Sequence, residues 1–451
     1  MRRRQFLQLA AMAGRRPNLL IITNDQHRAD GLGCMGNPVV RTPHVDGLAA
    51  QGALFRNHFV QAPQCVPSRV SVQTGRYPHV HRTPSNAYML HAEELTLAEI
   101  LNDAGYVTAA VGEMPFAPQQ ETGGFAQILA AGKDHAAYLR QNGWDAKSPA
   151  AEAPFQAAPV PWPAALDESN FYAQKAIEFL GRGRTTPFYL HINFRRPHHP
   201  FDPPAPYDTL YANAAFPPSH AREGEFKNKP PQQALAQKNT AGVDASELTP
   251  EALRKVKSYY YGMIQLNDEA IGKVLGELDR RGLGENTVVI FNADHGEMLG
   301  DHGLLFKGSY MYDEVVKTPL VIRAPGRVKP GTVINTFSES VDILPTVLDF
   351  LGLPIPVGVQ GTHLFHGKQK RVVFAEFPTV KMVRTAEWKL VHYPGARHGE
   401  LYDLQNDEHE LTNLWGDSAY AGQRAEMLSL LSDWLIRTED PARAPKRLKG
   451  L

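Results

Sequence analysis

Four runs of apolar residues, each breaking off into polar side chains able to do chemistry, constrain this chain more than any other feature. They are Asn18 to Thr23, Tyr106 to Val111, Phe188 to Asn193 and Thr287 to Asn292. A strand wetted on one face alternates apolar and polar residues, whereas one covered on both faces does not, so these runs predict buried parallel strands. Leu320-Val321-Ile322-Arg323 is a further, shorter one. Helical periodicity covers Leu95 to Ala104 (stopped by Gly105), Phe171 to Leu180 and Leu253 to Arg281, the last read as one helix through Gly262 and Gly272. Strands alternating with helices predict an α/β sandwich around a largely parallel sheet. Open sheets of that kind bind ligands beyond the carboxyl ends of their strands. The polar clusters fall there: Asn24-Asp25-Gln26-His27, Gly112-Glu113-Met114-Pro115, Arg195-Arg196-Pro197-His198-His199-Pro200 and Ala293-Asp294-His295-Gly296-Glu297.

After Pro354-Ile355-Pro356 the pattern changes to short alternating segments around Val372, Val383, Leu390 and Leu401, with a helical stretch from Ala425 to Arg437. This predicts a small C-terminal α+β subdomain with an antiparallel sheet. The expected organisation is a basic tail over 1–16, a catalytic domain over 17–356 and a C-terminal subdomain over 357–451. The Pro- and Ala-rich stretches Ala151 to Pro163 and Pro203 to Glu247 read as surface loops or lids. The 47 acidic and 47 basic residues balance, which gives no field for nucleic acid or an anionic membrane. No apolar run is long enough to span a bilayer. Arg2-Arg3-Arg4-Gln5-Phe6-Leu7 resembles a twin-arginine export motif, but the apolar stretch behind it is short. Two readings stay open: an exported, periplasmic protein, or a plain basic tail on a cytoplasmic one.

The chemistry centres on Cys65-Val66-Pro67-Ser68-Arg69 with Thr74-Gly75-Arg76 behind it. Pro67 suits a first helical position and Gly75 a left-handed cap, which predicts a short helix from about Pro67 to Thr74. Residue 65 then sits at a helix start, where free N–H groups and the dipole favour an anion, with Arg69 one turn on.

C-x-P-S-R-x(4)-T-G-R resembles the signature of the sulfatases, formylglycine-dependent enzymes of the alkaline phosphatase superfamily. The likeness continues through Thr42-Pro43-His44-Val45-Asp46, Ser340-Val341-Asp342-Ile343-Leu344-Pro345-Thr346 and Glu400-Leu401-Tyr402-Asp403. It implies an alkaline-phosphatase-like fold and a cysteine, Cys65, oxidised to formylglycine by a formylglycine-generating enzyme. It also implies a divalent cation held by Asp25, Gln26, Asp294 and His295, with calcium the family default and manganese or magnesium the alternatives. Arg69 and Lys307 would hold the ester's oxyanions, and His198 or Lys307 would protonate the departing alcohol. The pattern Pro-His-x-Pro selects His198 over His199, while His27, Asp301 and His302 read as structural or surface residues.

The activity so implied is hydrolysis of a small-molecule or saccharide sulfate ester, with hydrated formylglycine 65 attacking sulfur in line. One position departs from the pattern. Most sulfatases have Gly-Lys-x-His where this chain has Gly112-Glu113-Met114-Pro115. A carboxylate cannot replace a lysine that grips an anion, since like charges about 4 Å apart repel by roughly 4 kcal/mol at an intermediate dielectric. Glu113 is therefore turned away, protonated or used for a cationic substrate group, and His79 or His81 is a candidate to compensate. Phosphonate monoester and phosphodiester hydrolases of the same superfamily also lack Gly-Lys-x-His and are the alternative reading.

Overall fold

The computed structural model describes residues 16–113 and 122–439, so Met114, Pro115 and nearly all of the basic tail lie outside it. Nine strands form one sheet: β1 (Asn18–Asp25), β2 (Ala53–Phe59), β3 (Val107–Gly112), β4 (Gln127–Ala130), β5 (Phe188–Pro197), β6 (Thr287–Ala293), β7 (Lys317–Arg323), β8 (Thr332–Ile334) and β9 (Ser338–Glu339). Their order is β4-β3-β5-β1-β6-β7-β2-β8, with β9 beside β2. Every pairing is parallel except those of β7, which runs antiparallel to both β6 and β2.

Alternate residues of β1 feed two cores, as a strand with a two-residue period must. Leu19 and Ile21 pack with Val70, Leu97, Leu101 and Leu344, and Leu20 and Ile22 with Val45, Leu48, Phe171 and Ile271. On the first face lie α2 (Cys65–Thr74), α3 (Leu97–Asp103) and α6 (Ile343–Phe350), and on the second α1 (Pro43–Ala50), α4 (Glu168–Leu180) and α5 (Pro250–Arg280). Helix α3 opens on a capping box: Thr96 accepts from the Glu99 N–H while Glu99 reaches back to the Thr96 N–H. Helix α5 is continuous through both of its expected glycines.

The C-terminal sheet is antiparallel, β10 (Val373–Phe377), β11 (Val380–Arg384), β12 (Trp388–His392) and β13 (Gly399–Asp403), in that order. Helix α7 (Ala421–Thr438) covers one face through Met427, Leu431 and Trp434. The other face packs Val373, Ala375 and Met382 on Phe59, Val60 and Val316 of the main layer. Several details differ from the sequence expectation. Strands β2 and β4 were not anticipated, and the lid-like stretch contains a helix, Pro231–Lys238.

Candidate active site

Helix α2 begins at Cys65 itself, with Gln64 extended before it and Gly75 left-handed (φ 65°) at its end. Pro67 is thus the third helical residue rather than the first, still within the turn whose N–H groups need no helical partner. The loop after the helix folds back on its start: the Val66 N–H donates to Asn86 Oδ1 at 3.0 Å and the Asn86 N–H to Gln64 Oε1 at 3.0 Å. Cys65 Sγ lies 3.2 Å from His295 Nε2 and 3.6 Å from Asp25 Oδ1. Burial, and then the Asp25 carboxylate, push the thiol up to about 12.

Asp25 at the end of β1 and Asp294 just past β6 meet because their strands are sheet neighbours. Arg69 joins them from below. Its Nε donates to Asp294 Oδ2 at 2.7 Å, its Nη2 to Asp25 Oδ2 at 2.6 Å and its Nη1 to the Glu113 carbonyl at 3.0 Å. All three side chains are buried. Burial and the neighbouring Asp294 raise the Asp25 carboxyl to about 7. Burial also works against Asp294, yet Arg69 and His295 hold it below its ordinary value. Each carboxylate gives one oxygen to Arg69 and keeps the other on the side of His295, whose Nε2 is 3.4 Å from Asp25 Oδ1 and 3.8 Å from Asp294 Oδ1. His295 Nδ1 lies 2.9 Å from the Gly296 carbonyl, which assigns the ring proton to Nδ1 and leaves the Nε2 lone pair facing the carboxylates. Burial holds this imidazole neutral, down at about 3.

Lys307 and His198 form the opposite wall. Lys307 Nζ donates to His198 Nε2 at 2.5 Å and to Gln26 Oε1 at 2.9 Å. His198 Nδ1 points to the His199 carbonyl, and the His198 ring stacks on that of His199 with centroids 4.1 Å apart. Burial first, then Lys307, keep His198 neutral well below its usual range. Gln26 adopts a left-handed backbone (φ 64°), with its N–H on Asp294 Oδ1 at 3.0 Å and its carbonyl on the Tyr260 hydroxyl at 2.7 Å. Its side chain thus joins the Lys307 wall, while Asp25, Asp294 and His295 gather around Cys65. The other end of the Gln26 amide meets Glu297, a fully buried carboxyl raised to about 7 by that burial. Glu297 carried no role in the sequence reading, and no local pattern marks it out from other loop glutamates.

Glu113 is turned away from this centre. Its N–H donates to the Asn193 carbonyl at 3.0 Å, and Gly112 before it, at a left-handed φ of 97°, has to be glycine, since a Cβ there would sit 1.9 Å from that same oxygen. The Glu113 carboxyl, raised by burial and then by Glu168, faces Gly132 on the side of the sheet covered by α4. Neither candidate histidine takes up the missing role. His79 is held by Glu376 at 2.7 Å and packs edge-on against Trp434, and His81 is buried against Ser71 Oγ at 3.1 Å. His27 is buried, not a surface residue, its Nδ1 on Asn24 at 3.0 Å and its Nε2 on the Gly31 carbonyl at 3.0 Å. Asp301 accepts from Arg28 at 2.8 Å and His302 pairs with Glu225, so both brace the loop that carries Lys307.

The donor set at Cys65 suits a divalent cation. Oxygens of Asp25 and Asp294, His295 Nε2 and Cys65 Sγ lie within 4.8 Å of one another; the two carboxylates are donors that calcium, magnesium or manganese accept, while the neutral imidazole is a donor better matched to a first-row transition ion. Arg69 takes only the far oxygens; of the near pair, that of Asp294 accepts the Gln26 and His295 N–H groups and that of Asp25 faces Cys65 Sγ.

A cysteine at a helix start beside such a cluster, at the carboxyl edge of a mostly parallel sheet, fits an alkaline-phosphatase-like hydrolase. The sulfatase family model matches residues 17–353 and that of the N-sulphoglucosamine sulphohydrolase C-terminal region matches 300–435, and the chain belongs to the sulfatase family. It is 29% identical to the multifunctional alkaline phosphatase superfamily protein PehA of Trinickia caryophylli, over 94% of this chain and 96% of that one. It is equally 29% identical to an arylsulfatase of Clostridium perfringens, over 96% and 98%. The phosphonate monoester hydrolase of Agrobacterium radiobacter superposes with a TM-score of 0.85 at 29% identity, covering 94% of this chain and 96% of that one. Among the described residues no helix is long and apolar enough to cross a membrane.

Proposed function

We propose that this hydrolase acts on singly charged tetrahedral esters, taking phosphonate monoesters and phosphate diesters ahead of sulfate monoesters. One observation carries the reading: the charge inventory of the site. Arg69 is committed to Asp25 and Asp294, and the sequence position of the family's second lysine is filled by Glu113, whose carboxyl is turned away. Among the described residues Lys307 is then the one side-chain cation on the substrate's side, which beside the bound cation favours a monoanion over a dianionic phosphate monoester. Within the singly charged class, the likeness to the Agrobacterium phosphonate monoester hydrolase puts phosphorus first. The likeness to the Clostridium arylsulfatase supports sulfate as the second reading.

Residue 65 in its formylglycine form supplies the attacking oxygen, and a divalent cation, calcium foremost, supplies Lewis-acid charge beside it. Asp25, Asp294 and His295 would hold the cation, while Gln26 would flank it from the Lys307 wall. Arg69 fixes both carboxylates and so aims their free oxygens. Lys307 faces the ester's oxyanions, and it also carries the proton for the departing alkoxide, because His198 presents a lone pair at Nε2.

The test uses protein co-produced with a formylglycine-generating enzyme and four 4-nitrophenyl substrates: phenylphosphonate, bis-phosphate diester, sulfate and phosphate monoester. The leaving group is constant, so kcat/KM reports the centre. The phosphonate and diester should lead, with sulfate behind and the dianionic phosphate last. A sulfate rate about tenfold above the phosphonate, worth about 1.4 kcal/mol in the barrier, would instate the sulfatase reading. A fastest phosphate monoester would overturn the charge argument altogether.

A further inference from the structure

The wall formed by Lys307 and His198 is not self-supporting, and what orients it lies one layer deeper. Glu297 follows the Asp294-His295-Gly296 turn and is completely buried. Three N–H groups converge on its carboxylate: those of Leu299 at 3.0 Å and Phe306 at 2.6 Å on Oε1, and the Gln26 side-chain amide at 2.5 Å on Oε2. A carboxylate only accepts, whereas a primary amide accepts at one end and donates at the other. Glu297, with His199 Nδ1 3.1 Å from the same nitrogen, takes the nitrogen end of Gln26 and obliges the oxygen end to face outward, and that oxygen receives Lys307 Nζ at 2.9 Å. Lys307 in turn donates to His198 Nε2 at 2.5 Å, and His198 Nδ1 points to the His199 carbonyl. Donation converges on Glu297 from the two backbone N–H groups and from Gln26, and diverges from Lys307 toward Gln26 and His198. Glu297 also ties the loop itself, since the Phe306 N–H it accepts belongs to the residue before Lys307.

We propose that Glu297 is a positioning residue: through the Gln26 amide it sets where the Lys307 ammonium stands relative to His198 and the ester. The inference rests on the reading above, in which Lys307 meets the ester, but the position of Lys307 can be measured without any turnover. In Glu297→Gln, the new amide must keep its oxygen on the two backbone N–H groups, so its nitrogen faces the Gln26 nitrogen. Gln26 then flips and presents hydrogens to an ammonium. The exchanged pair Gln26→Glu/Glu297→Gln restores a donor against an acceptor, keeps the same number of carboxylates and again offers an oxygen to Lys307.

Two readouts are taken on converted, full-length protein, normalised to the converted fraction. One is the rate of Lys307 acetylation by acetic anhydride, followed by peptide mass. The other is kcat and KM for phenylphosphonate esters of 4-nitrophenol and of phenol, the latter needing more help at the leaving oxygen. Loss of a hydrogen bond to a charged group predicts about 10- to 100-fold faster acetylation in Glu297→Gln. A kcat loss of similar size should fall harder on the phenyl ester, and the exchanged pair should recover about tenfold or more of both. A purely structural glutamate would lower stability but would not be rescued by the exchange. If Glu297→Gln does not fold, Gln26→Met interrupts the same relay one step later and is read in the same way. Unchanged Lys307 labelling, or an exchanged pair no better than the single variant, overturns the proposal. A labelling change without any kinetic change upholds the positioning and refutes instead the reading of Lys307 as ester-facing.

Discussion

Replacing Arg69 with methionine removes the group on which the two central carboxylates depend, and the size of the effect follows from the geometry. The guanidinium makes contacts of 2.6 and 2.7 Å to Asp25 and Asp294, all buried. Taking one partner from a buried ion pair costs about 3–5 kcal/mol, because the remaining charge is left uncompensated. Two such pairs do not double that figure here. Asp25 already titrates at about 7, so at neutral pH it can take up a proton at little cost and leave Asp294 as the one stranded charge. The expected loss in a chelator-treated urea titration at pH 7 is therefore about 3–5 kcal/mol in total. The sign of the pH dependence is fixed as well. Without Arg69 the folded-state values of both carboxyls rise above the unfolded value of about 3.9. Stability of the variant is then fully present at low pH and lost as pH climbs through those raised values, so the deficit shrinks at pH 5. A loss below about 1 kcal/mol at pH 7, or an equal loss at pH 5 and 7, would refute the claim that Arg69 is the countercharge of this pair.

Two further outcomes are expected. Glu314, raised to about 8 by burial and then by Asp301, contributes stability present below its unfolded value near 4.5 and lost as pH rises through 8. Wild type should lose about 3–5 kcal/mol more than Glu314→Gln between pH 5 and 9, and parallel pH–stability curves would contradict this. Calcium at about 100 times its dissociation constant should stabilise chelator-treated wild type by about 2.7 kcal/mol. Asp294→Asn should lose most of that gain, and an undiminished shift in a thermal melt would place the ion elsewhere.

Much of this could be read from the chain because the central strands are covered on both faces. Strands β1, β3, β5 and β6 announce themselves as unbroken apolar runs, and their ends mark the site. Strand β2 does not, since Arg56 and Asn57 interrupt it where its register to β7 slips between Phe55 and His58. The helix Pro231–Lys238 was hidden for the opposite reason: it buries only Gln233, leaves Leu235 exposed and shows no apolar stripe. At the site, Cys65 and Arg69 were legible through one contiguous motif, and the structure brings Asp25, Asp294 and His295 to them. The turn of Glu113 away from the centre, the distance of His79 and His81 from it, and the hold of Glu297 on Gln26 arise from contacts between segments far apart in sequence. No spacing encodes these.

The account stands on residue 65 acting in its oxidised form. Preparations made with graded amounts of the converting enzyme give different converted fractions, read as the mass of the peptide that carries residue 65. Plotted against that fraction, the specific activity toward 4-nitrophenyl phenylphosphonate should be a straight line through the origin, with Cys65→Ala lying at background. Activity that persists at full strength in a preparation whose residue 65 is entirely thiol would contradict it.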